Sequence, residues 1–194
     1  MMAETPQRLL GRGPLLACIT VIAATALFLN FQGRVWWCQA GDLSPWAWDI
    51  WSTHNSQHLL DPYSFTHILH GVFEYWMLLL LFPNLPAKWR LVIAVAIEAA
   101  WEALENSSFI INRYRTATLS LDYFGDSIIN SISDIVCCGL GFVIASKLRF
   151  RRSLLFFIVT EITLTLTIRD SLILNVIMLL YPIDAIKVWQ MAGR

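Results

Sequence analysis

The sequence predicts an all-α polytopic membrane protein, a helical bundle of about six transmembrane helices forming one integral membrane domain over residues 1–194. Three observations carry that expectation. The chain is 57% hydrophobic and only 14% charged, against roughly 45–50% and about 25% in an average soluble domain. Its mean hydropathy is +0.57. Apolar runs recur at or near the ~20 residues needed to cross a bilayer. The zero net charge lends no electrostatic support to a nucleic-acid partner, and the lipid bilayer is the expected surrounding.

The expected spans lie at about 15–31, 66–82, 90–109, 127–146, 153–168 and 171–188. Arg8 and Arg12 precede the first, which is too long for a signal peptide and has no small-residue cleavage pattern, so it reads as an uncleaved span. The sixth is the weakest, because Pro182, Asp184 and Lys187 interrupt it. With the N-terminus inside, ten cations face the cytoplasm, including Arg8, Arg12, Lys88, Arg90, Lys187 and Arg194, and only Arg34, Arg113, Arg115 and Arg169 face out. This asymmetry predicts an N-in/C-in, multi-pass protein of the inner membrane. The cluster Lys147, Arg149, Arg151 and Arg152 is its strongest anchor.

The outer loop 32–65 concentrates Trp36, Trp37, Trp46, Trp48 and Trp51 with His54 and His58. Tryptophan favours the headgroup level of a membrane, so the loop is expected on the outer surface, with a short interfacial helix around Pro45–Leu60. Cys18, Cys137 and Cys138 lie in apolar runs and Cys38 in this loop; none pairs into a Cys-x-x-Cys knuckle or disulfide framework, and all four read as packing residues.

Three spans carry a polar stripe. At ~3.6 residues per turn, Glu98, Glu102 and Glu105 share one helix face. His67, His70 and Glu74 share another, with Gly71 beside them, and Asp126, Asn130 and Asp134 a third. Charge facing lipid is costly, so the stripes are expected to face one another around a cavity open to the outside, Glu98 near mid-membrane and the histidines near the outer surface. Glu161 and Thr165 are a further expected wall of the cavity, and Asp170 an expected cap of the sixth span.

Two imidazoles with several carboxylates suit zinc, manganese or iron. In the leading scheme His67 and His70 bind a divalent metal, with Glu105 or Glu102 completing the shell. Asp126 or Glu74 then acts as base, with Glu102 a further catalytic candidate, while Arg113 and Arg115 hold the phosphate of a phospholipid or isoprenoid phosphate. That scheme describes a metal-dependent hydrolase or transferase acting on an envelope lipid. The same residues also admit a hydrogen-bonded, non-catalytic scaffold, a proton- or cation-coupled carrier, and an intramembrane aspartyl protease pairing Asp122 with Asp126 or Asp134.

Taken together, Trp51-Ser52-x-His54-Asn55-Ser56-Gln57-His58, Asp61-Pro62-Tyr63-Ser64-Phe65-Thr66-His67-x-x-His70-Gly71, Trp101-Glu102-x-x-Glu105-Asn106, Arg113-Tyr114-Arg115 and Asp122-Tyr123-x-Gly125-Asp126-Ser127-x-x-Asn130-Ser131-x-x-Asp134 resemble a family of small bacterial multi-pass inner-membrane proteins of unknown function. The resemblance runs over nearly the whole chain. It implies location and class, and carries over no activity or catalytic residue.

Overall fold

In the computed structural model, which describes residues 11–118 and 122–193, all regular structure is helical. Eight helices follow one another among the described residues: α1 (Arg12–Phe31), α2 (Ser64–Leu81), α3 (Ala87–Glu105), α4 (Ser108–Ala117), α5 (Ile128–Lys147), α6 (Phe150–Ile168), α7 (Leu172–Leu180) and α8 (Asp184–Met191). Arg8 and Arg194, counted above among the inner cations, lie outside the described residues.

Two helices, α1 and α5, are long and apolar enough to cross a membrane, and α6 with α7, bent by 73° at their junction, makes a third if the pair is one span. The outer faces fit that setting. Leu27 of α1, Phe73 and Leu80 of α2 and Leu166 of α6 are all more than half exposed, while Arg90, Glu98, Glu102 and Asp134 are buried. Apolar surface outward and charge inward is the distribution of a membrane protein.

Local chemistry moves three expected boundaries. The third span does not run to residue 109: α3 stops at Glu105, where the Asn106 amide donates to the Glu102 carbonyl at 3.1 Å, and Ser107 caps the new helix α4 by accepting from Ile110 N. The sixth span is divided at Tyr181-Pro182 into α7 and α8, because Pro182 has no N–H to continue the ladder. Nor is there a helix at Pro45–Leu60. There, Asp42 and Asp49 accept from the backbone N–H of Ser44 and Trp51, turns that compete with helix formation, and a bridge joins Trp46 to Leu60.

The core forms where α1, α2, α3 and α5 meet, around Val72, Leu78, Val95, Ile135 and Phe142. Helices α2 and α5 pack backbone to backbone. A Cβ on Gly71 would collide with the Cys138 carbonyl oxygen, and one on Gly141 with that of Ile68. Small residues permit this approach, and it brings the polar stripes of the two helices together.

Candidate functional site

The three stripes converge. His67 Nδ1 donates to Glu98 Oε1, and His70 Nδ1 donates to the same carboxylate at 2.9 Å to Oε2 and 3.1 Å to Oε1. The other flanks of His67 are acidic too. Glu102 Oε1 lies 3.6 Å from its Nδ1 and Asp134 Oδ2 3.8 Å from its Nε2. The carboxylate between the imidazoles is therefore Glu98, not the Glu105 or Glu102 of the sequence scheme, and Glu98 lies level with the histidines instead of deeper. Helical spacing places residues on a face, but the vertical register between two helices comes from their packing.

Glu102 is fully buried, and neither of its oxygens has a hydrogen-bond partner among the described residues; Asp134 Oδ1 is in the same position. His67, His70 and Glu98 each offer a ligand atom within 4.8 Å of the others, and so do His67, Glu102 and Glu105. Both sets share His67, which is 7% exposed.

His67, His70, Glu105 and Asp134, but neither Glu98 nor Glu102, border a pocket of about 660 Å³, its open mouth included. Its polar side holds His67, His70, Glu105, Asp126 and Asp134. Glu105 accepts hydrogen bonds from Tyr114 and Trp101. Asp126 accepts from Tyr123 Oη at 2.9 Å and from the Asn106 amide at 2.9 Å, and its own N–H donates to Asn106 Oδ1 at 2.7 Å. Burial pushes the Asp126 carboxyl up to about 6, against the pull of the Tyr123 and Asn106 hydrogen bonds. The opposite wall comes from α7 and is mainly apolar, through Leu172, Val176 and Leu179, with Asn175 as its one polar side chain. Nothing in the sequence reading assigned that wall, because α7 is nine residues long and shows no polar pattern.

Other expected residues stand elsewhere. Glu74 is buried a turn farther along α2, outside the pocket lining, and accepts from Cys138 Sγ at 3.3 Å. Arg113 and Arg115 are likewise outside the lining. Arg113 donates to the Leu179 and Leu180 carbonyls at the end of α7, a stabilising partner for a helix C-terminus, and Arg115 is exposed. Glu161 does not wall the pocket. Its two oxygens accept from Leu172 N at 2.9 Å and Ile173 N at 3.1 Å, satisfying the free donors at the start of α7. The cap itself is Ser171, whose hydroxyl accepts from Leu174 N. Asp170, expected in that role, instead accepts from Tyr63 Oη and Gln190 Nε2.

Comparison with known proteins gives a consistent picture. A family model described as "Protein of unknown function (DUF2585)" matches residues 29–192. Similar chains include a UPF0314 protein of Brucella anthropi, 45% identical over 93% of this chain and 91% of its own length. Another, from Rhizobium meliloti, is 46% identical over 91% and 89%, and one from Paracoccus denitrificans is 45% identical over 92% and 93%. No solved structure matches the chain.

Proposed function

The chain belongs to the DUF2585 family of proteins of unknown function, and from that premise we propose that it is a metal-dependent hydrolase or transferase acting on an envelope lipid. Its setting in this reading is the inner membrane, crossed six times with both termini inside. The observation that carries the proposal is Glu102, a fully buried carboxylate neither of whose oxygens accepts a hydrogen bond among the described residues, with Oε1 3.6 Å from His67 Nδ1, in a site that already holds Glu98 and Asp134. A buried carboxylate without hydrogen bonds is strongly disfavoured. A divalent cation between the imidazoles and these carboxylates removes the imbalance.

His67, His70 and Glu98 would hold zinc, manganese or iron, with Glu102 or Glu105 reachable from the His67 side. Such an ion supplies a water nucleophile near neutral pH. Asp126, with its carboxyl near 6, is ionised at neutral pH and lines the same pocket, so it serves as the base. The lipid class is supported by the lining, acids on one side and the aliphatic residues of α7 on the other, a match for a polar head on an apolar tail. Arg113 and Arg115 are the proposed phosphate contacts, although Arg113 also holds the end of α7 and neither lines the pocket.

A proton- or cation-coupled carrier is the second reading. It is favoured by the continuation of the acidic seam beyond the pocket, where Glu74, Glu98 and Cys138 cluster. Elemental analysis of the detergent-purified protein and of a His67→Ala/His70→Ala variant, each dialysed against a mild chelator and then offered zinc, manganese or iron, separates the two. One metal equivalent fewer in the variant than in the native protein supports the metalloenzyme. Equal metal in the two samples after ions are restored overturns it, leaving the carrier and the scaffold.

A further inference from the structure

A second donor cluster sits in the loop between α1 and α2, built from residues that the pocket does not use. Cys38 Sγ lies 3.3 Å from His54 Nδ1, and that nitrogen lies 3.1 Å from His58 Nε2. Cys38 and His58 are buried and His54 half-buried, and the three atoms fall within 4.8 Å of one another. Cys38 is therefore more than the packing residue its sequence context implies.

The protons do not fit this arrangement. His58 Nδ1 contacts the Ser44 carbonyl, which only accepts, so Nδ1 carries a proton and, in the neutral ring, Nε2 presents a lone pair to His54. If His54 Nδ1 also carries a proton, it satisfies His58 and leaves the Cys38 thiol without its acceptor. If it carries a lone pair, it accepts from Cys38 and opposes the lone pair of His58. A single cation resolves both cases, because all three atoms then point lone pairs at it.

We infer that Cys38, His54 and His58 form a zinc site of the thiolate and imidazole type. Ligands ~2.0–2.3 Å from a tetrahedral zinc ion stand roughly 3.3–3.8 Å apart, so the Cys38–His54 and His54–His58 separations need to open by only a few tenths of an ångström, and the third pair lies within 4.8 Å. On binding, the thiol proton passes to solvent and sulfur coordinates as thiolate. The contact of His58 Nδ1 with a backbone carbonyl is the outer hydrogen bond that fixes the tautomer of a metal-bound histidine. The fourth position is left for water.

The local fold gives such an ion a structural task. The loop lacks helix and strand, and the turn from His54 to His58 is closed by Gln57 N donating to the His54 carbonyl and by Ser56 at φ 61°. That turn borders the pocket through Asn55 and Ser56. It is tied to the start of α5 by Ser127 Oγ donating to the Gln57 carbonyl, and by Gln57 Nε2 donating to the Gly125 carbonyl at 2.8 Å. A chelated Cys38 joins the beginning of the loop to this turn.

Cobalt(II) is the probe. The metal-free protein in detergent, titrated with cobalt, is expected to develop a near-ultraviolet sulfur-to-cobalt charge-transfer band. The band should persist in Cys138→Ser and in His67→Ala/His70→Ala, and vanish in Cys38→Ser and His58→Gln. No band in the native protein, or one that survives Cys38→Ser, overturns the assignment. Should the loop variants fail to fold, X-ray absorption at the zinc edge on the His67→Ala/His70→Ala/Cys138→Ser protein decides. One sulfur scatterer at ~2.3 Å supports the site, and a shell without sulfur, or no retained zinc, rejects it. Because these samples lack both pocket histidines, failure here does not depend on the fate of the pocket metal.

Discussion

Glu98 accepts from two imidazoles at once, so its neutral amide is the most informative single change in the pocket. Glu98→Gln keeps the shape and removes the charge. Metal affinity, read by competition with a chromophoric chelator, is expected to fall by at least the ~10–100-fold that losing a supporting partner costs. Asp126 makes a prediction about pH. Its carboxyl moves from 3.8 up to about 6 on burial, so the fold favours the protonated form. The stability this contributes is complete below the ordinary carboxylate value and is lost as pH rises through about 6. Thermal unfolding in detergent should therefore show the native protein losing stability between pH about 4 and about 7, and Asp126→Asn a flatter profile over the same interval. A steeper profile in the variant contradicts the assignment. The carboxylate stripe that holds Glu98 was readable from spacing alone, whereas its pairing with His67 and His70 depends on how far α2 slides along α3, and no helical period encodes that.

At the level of the elements, the contact of α2 with α5 rests on two hydrogen atoms where side chains would otherwise stand. Gly71→Ala and Gly141→Ala each force a methyl group into a carbonyl oxygen and should destabilise by about 1–3 kcal/mol or more, measured as a drop in the detergent melting temperature. Gly139, whose added Cβ would meet only the edge of Val95 at 3.9 Å, is the matched control, and Gly139→Ala should change little. Helix α7 depends on a carboxylate from its neighbour. Glu161→Ala leaves the N–H groups of Leu172 and Ile173 without acceptors and should cost about 1–2 kcal/mol, with Glu161→Gln recovering part of the loss through its remaining oxygen. The reading of Glu161 as a cavity wall missed this because helical spacing along α6 does not register the bend between α6 and α7. Their sharp junction at Arg169, at φ 54°, carries the start of α7 over the Glu161 side chain. Similarly, the tryptophan-rich stretch was legible as a connection between helices but not as a chain of turns, since Asp42, Asp49 and Ser52 draw the backbone away from a helix by bonds that a hydropathy pattern does not register.

For the whole molecule, the apolar outer faces and buried acids fit a membrane protein, and the proposed six-span arrangement predicts where its loops would emerge. On a background lacking the native cysteines, single cysteines placed at Leu43 and at Asn84 should react with an impermeant thiol reagent from opposite sides of sealed inner-membrane vesicles. Labelling of both from one side refutes the proposed crossing of α2. The membrane character was visible in composition and run length, but α2 and α3 carry their polar stripes at the expense of hydropathy, and neither stands among the helices that are apolar enough by themselves. The close seat of Gly71 and Gly141 on facing carbonyls has one more consequence, for how such a chain tolerates change in length. Those notches lock the rotational phase of α5, so inserting a single alanine between Asp134 and Gly141 would turn Asp134 and Asn130 by ~100° about the helix axis and aim them away from the histidines. The hydropathy profile would be almost untouched, yet the insertion should be far more disruptive than any substitution along the same stretch.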